Sequence, residues 1–76
     1  MPTLKIIGSL AIRIFGRDHR PPHFHIKTPD GSVLVRIDDF TILKGWIHKK
    51  DFDLAIEWAR ANQGLLFDEW NRLNRP

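Results

Sequence analysis

The 76-residue chain contains no cysteine. Disulfides and thiolate–zinc sites are therefore excluded, and a chain this small without staples points to a cytoplasmic protein. Long hydrophobic runs are absent too. No apolar stretch approaches the roughly 20 residues of a membrane span. The opening "MPTLK" lacks the basic start and long apolar stretch of a secretory signal. There is no internal repeat, low-complexity tract or linker.

What remains fits one soluble folded domain over residues 1–76, with 42% hydrophobic and 28% charged residues. A chain of this length buries only about 60% of the surface its unfolded form exposes. Extra cover from a partner protein, or from a second copy in a homo-oligomer, would stabilise it. The formal net charge of +3 favours anionic partners such as nucleic acid, a phosphorylated ligand or an acidic protein.

Periodicity divides the chain in two. Strands are expected over about residues 4–47. In "SLAIRIF", Leu10, Ile12 and Ile14 alternate with Ala11, Arg13 and Phe15. In "HFHIK", Phe24 and Ile26 oppose His23, His25 and Lys27. "TPDG" is a turn, with Gly31 suited to positive φ. "VLVRI" then sets Val33, Val35 and Ile37 against Leu34 and Arg36, so residues 23–37 read as a β-hairpin. Asp38-Asp39 forms a turn or bulge before a less regular strand near 40–47, and Gly45 marks a bulge or bend. Lys5 to Ile7 extends the first strand.

From about residue 50 to 74 the period becomes helical. Phe52, Ala55, Ile56, Ala59, Leu66, Trp70 and Leu73 fall on one stripe. The stripe stays in phase through Asn62, Gln63 and Gly64, which predicts one long helix with a kink near Gly64. The fold class is α+β: a small antiparallel sheet of three to four strands, one face covered by a long C-terminal helix. Trp46 is expected in the packing. Leu54, Trp58 and Leu65 form a second apolar edge suited to widening the core or to docking a partner protein. Glu57 and Glu69 read as solvated helix positions without paired partners.

Strand parity places Arg13, His23, His25, Lys27 and Arg36 on the face opposite the core. Four readings of the histidines follow. Asp18, His19, His23 and His25 are enough to ligate a zinc or first-row metal. Arg13 and Lys27 would repel such an ion, so no cofactor is favoured. The same histidines beside arginine and lysine are the equipment of a metal-independent ribonuclease. One imidazole removes a proton, another returns it, and the cations hold the phosphate. Here His23, His25, His19 and Asp18 are the catalytic candidates, with Asp18 orienting His19. The third reading is anion or nucleic-acid binding through Arg13, Lys27 and Arg36 without chemistry. The fourth is structural: Asp18 and His19 cap a turn, and Pro21-Pro22 sets the entry to a strand.

"RDHRPPHFH", with "IRIF" before it and an "EW" pair at Trp58 and Trp70, resembles domain-of-unknown-function family 4160. These are small bacterial proteins with a D-H-x-P-P-H-F-H signature, carried here by Asp18, His19, Pro21, Pro22, His23, Phe24 and His25. Trp46-Ile47-His48 departs from the family pattern. The resemblance implies a gene beside that of a small partner protein, in a toxin–antitoxin pair of which this chain is the toxin. It implies no settled biochemical activity.

Overall fold

The computed structural model describes residues 3–17 and 19–74. Alternation and tight turns produce a five-stranded antiparallel sheet in chain order, β1 (Thr3–Ile7), β2 (Leu10–Arg13), β3 (His23–Thr28), β4 (Gly31–Arg36) and β5 (Ile42–Trp46). This is more than the three to four strands expected, because Lys5 to Ile7 does not lengthen β2. Gly8 takes φ 59° and pairs Ile7 with Leu10 across a two-residue turn. A left-handed residue at the first turn position is what such a hairpin requires.

The β3–β4 hairpin forms as expected, with Thr28 opposite Gly31. Its turn is tied by Thr28, whose hydroxyl accepts from the Asp30 N–H and donates to the Gly31 carbonyl, each at 3.2 Å. Gly31 is not at positive φ. Its place is set by sterics instead: a Cβ there would come within 2.4 Å of the Trp46 carbonyl oxygen.

The chain then turns through Asp38, Asp39 and Phe40, the last at φ 61°. β5 is bulged. Leu34 pairs with Lys44 and Val35 with Ile42, so Leu43 is the extra residue. Gly45 sits at φ 93°, and a Cβ there would lie 2.2 Å from the Ser32 carbonyl oxygen. No side chain fits between the two strands at that point.

The helical stripe is present, but on two helices, α1 (Lys49–Ala61) and α2 (Gln63–Leu73). The break falls at Asn62, φ −128°, and not at Gly64, which lies inside α2. The stripe hides the break because Ala59 and Leu66 lie about two turns apart. Side chains hold the junction. Asn62 Nδ2 donates to the Trp58 carbonyl, and Gln63 Nε2 donates to the Ile37 carbonyl at 2.8 Å and the Asp38 carbonyl at 3.1 Å.

Ile12, Ile14, Phe24, Ile26, Val33, Val35 and Ile37 are all fully buried, against Ala55, Ile56, Ala59, Leu66 and Trp70 from the helices. Each of the valine, leucine, isoleucine and phenylalanine side chains among them contributes about 1.5–3 kcal/mol on burial. Trp58 packs against this core, whereas Leu54 and Leu65 are exposed. Trp46 is not packed: it is 60% exposed, because its parity puts it on the uncovered sheet face. Glu69 is not unpaired either. Arg72 donates to its two oxygens at 3.0 and 2.9 Å. No helix among the described residues is long and apolar enough to cross a membrane.

Candidate functional site

The uncovered face is built in rows by the strand register. One row runs Thr3, Arg13, His25, Leu34, Lys44 across all five strands. The next runs Ile6, Ala11, Lys27, Ser32, Trp46. A shorter third row pairs His23 with Arg36. Arg13, Lys27, Arg36 and Lys44 therefore share one face. Among the described residues, no strand carries an aspartate or glutamate.

The cations differ in their freedom. Lys27 is exposed. Arg13 is half-buried, and its Nε is buried without a hydrogen-bond partner. Arg36 Nε is also without a hydrogen bond, although it lies 2.7 Å from Asp38 Oδ1. The N–H points off the line between the two atoms, so that contact is a charge attraction, and it partly neutralises Arg36. Lys44 adds a cation that the sequence reading left out. The signal was available: Lys44 shares its parity with Trp46, two residues on.

The histidines separate. His23 is 1% exposed and does not lie on the open surface as expected. It begins β3, where Trp70 of α2 closes over the strand end, their ring centroids 5.1 Å apart. Parity gave its direction but not its cover. Its Nδ1 donates to the Pro21 carbonyl at 2.8 Å. A carbonyl only accepts, so the proton sits on Nδ1 and the ring is fixed in orientation. His25 is half-buried, edge-on to Phe15 at 4.4 Å. His19 is exposed. His19 and His25 flank His23, with ring centroids 5.5 and 5.2 Å from it. The structure thus brings the three imidazoles together but leaves only His19 and His25 within reach of a surface ligand. Asp18, the expected orienting carboxylate, lies outside the described residues. Among those residues no group of three or more His, Cys, Asp or Glu is arranged to hold a metal ion.

Residues 19–22, which contain a cis Arg20–Pro21 bond, lie over part of the open face. His19 and Pro21 roof a cavity of about 500 Å³. Ser32 and Leu34 of β4 form one side of its floor, and the bulged Leu43, Lys44 and Gly45 of β5 the other. Trp46, the residue after Gly45, stands edge-on to His48 at 4.7 Å, and His48 Nε2 lies 3.4 Å from Asp30 Oδ2.

The Thr41 N–H, donating to Asp39, holds that carboxyl below its ordinary value. Hydrogen bonds from Arg72 hold Glu69 below its own, and Glu69 in turn raises Arg72.

No curated protein and no solved structure matches the chain. A family model does match, over residues 10–71. That span starts at the first residue of β2 and ends one residue past Trp70. It takes in the imidazole group, its roof loop, all four open-face cations and most of both helices. The chain belongs to the family described as "Domain of unknown function (DUF4160)".

Proposed function

We propose that this chain is the toxin of a bacterial toxin–antitoxin pair and that it acts by binding RNA on its open sheet face. One observation carries the RNA part: four cations and an exposed tryptophan share a face whose strands have no carboxylate. Phosphates are drawn to such a surface without sequence preference, and Trp46 offers a ring on which a base can stack. The toxin part rests on the family resemblance of "RDHRPPHFH". In this reading His25 contacts phosphate beside Arg13, its cross-strand neighbour. His23 is a positioning residue that holds the roof loop through Pro21. Cleavage, where it occurs, uses His25 and His19 as the base and acid: one takes a proton from the attacking hydroxyl, the other gives one to the leaving oxygen.

The test is the double variant Arg13→Ala/Lys27→Ala. RNA affinity should fall, and the dependence of log K on log salt should flatten by about two. Growth arrest on expression should disappear while the melting temperature holds. Unaltered growth arrest in the folded variant would reject the proposal.

A second reading has its own observation. Leu54 and Leu65 are 43% and 44% exposed on the helices, away from the sheet's open face. This edge suits a partner protein, the antitoxin in such a pair. Leu54→Glu should weaken co-purification with the product of the neighbouring gene and leave RNA affinity unchanged.

A further inference from the structure

We infer that the cavity under the His19–Pro21 roof takes one unstacked nucleobase of a single-stranded RNA, with the adjoining phosphate on Lys44. This deepens the RNA-binding reading and rests on it.

The cavity combines the two chemistries a nucleotide presents. Pro21, Leu34 and Leu43 are apolar and suit the faces of a flat ring. Ser32 also lines it, and its hydroxyl can pair with a polar ring edge. Lys44 also lines it, and lies in the same cross-strand row as Arg13 and His25. A base entering there leaves its phosphate over a row of cations. The size allows it: about 500 Å³ is more than one base needs.

The backbone around the cavity is specialised at this point. The bulge makes Leu43 an extra residue in β5, and a bulge re-aims side chains beside a site. Gly45 draws β5 so close to Ser32 that no Cβ fits. The floor is therefore shaped by two departures from a regular strand, both under one loop. Trp46 follows, exposed on the same face by register with Ser32, and a neighbouring base can stack on it. Duplex RNA keeps its bases paired and stacked, so it can meet the cations but cannot fill the cavity.

The experiment measures binding of a ten-nucleotide single strand and of a blunt two-strand duplex of matched composition, at one salt concentration. Wild-type protein should prefer the single strand by about tenfold. Ser32→Phe, which fills the cavity from an exposed strand position, should bring the two affinities within about twofold and leave duplex binding unchanged. Leu43→Asn, which removes apolar floor without adding bulk, should do the same and guards against a folding defect in the first variant. Equal affinities in wild type, or a preference that survives both folded variants, would overturn the inference while the RNA-binding reading stands. Absence of all RNA binding would overturn both. Nucleoside monophosphates form a separate arm: shifts of the Leu34 and Leu43 methyl resonances with a free nucleotide, without any single-strand preference, would assign the cavity to a mononucleotide instead.

Discussion

On the covered side of the sheet, Ile12, Phe24, Ile26, Val33 and Val35 lie side by side, and none is reached by solvent. One residue along on the same strands, Arg13, His25, Lys27 and Leu34 face the other way and all remain at least partly exposed. The backbone treats both sets alike, since a strand simply alternates. The difference lies in what covers them. The helices close the first face with Ala55, Ile56, Ala59, Leu66 and Trp70, while the roof loop covers only part of the second. Stability is thus concentrated on one side, and the other is free to carry charges that repel one another. A face of like charges costs folding energy and has no structural benefit here, which is why it reads as a binding surface.

The comparison breaks most sharply in the core. Phe24→Ala should cost about 3–5 kcal/mol, since it empties a fully buried site. Lys27→Ala, three residues on and facing out, should stay within about 0.5 kcal/mol. Urea denaturation of the two variants checks the contrast, and comparable midpoints would refute it. The histidines sharpen the comparison, because His23 has the parity of the open face and the burial of the core. His23→Ala loses its bond to Pro21 and leaves a space against Trp70, so it should cost about 2 kcal/mol. His25→Ala should be milder in stability and stronger in RNA affinity. Thermal melts and binding isotherms on both variants separate the two effects.

The smallest effect concerns the helices. Glu69 binds a proton less readily in the folded chain than in the unfolded one, because Arg72 hydrogen-bonds its carboxylate. The resulting stability is present above the ordinary glutamate value and is lost as pH falls through the lower folded value. Glu69→Gln should therefore flatten the acid limb of the stability curve slightly. Solvent screens the pair, so stability near neutrality should change little.

Period-2 alternation was enough to name seven fully buried apolar residues in and just beyond the strands, and "TPDG" was enough to place the β3–β4 hairpin. Those signals are local, and each is repeated several times over. What sequence reasoning missed depends on cover and contact at a distance. His23 follows its parity yet is buried, because a residue 47 positions later in the chain closes over it. The helix divides at Asn62 although the apolar stripe does not, since Gln63 is tied to the carbonyls of Ile37 and Asp38. β1 was hidden by its lack of clean apolar alternation and by the brevity of the turn at Gly8. Trp46 was misplaced because a lone tryptophan suggests packing, while its register with Ser32 turns it outward. The cationic side of the candidate site was legible for the same reason as the core. The cavity was not, since it exists only where a loop from before β3 meets a bulge in β5.

Every strand pairs with the strand next to it in the chain. Such a meander closes only short loops, so its ladder can form progressively, with little entropy lost at each step. The cover for its apolar face comes last, from α1 and α2. During synthesis the sheet therefore emerges first, with an oily side bare until residues near Leu66 and Trp70 have left the ribosome. The same order that makes the sheet easy to assemble makes the nascent chain most prone to aggregate before α2 has emerged.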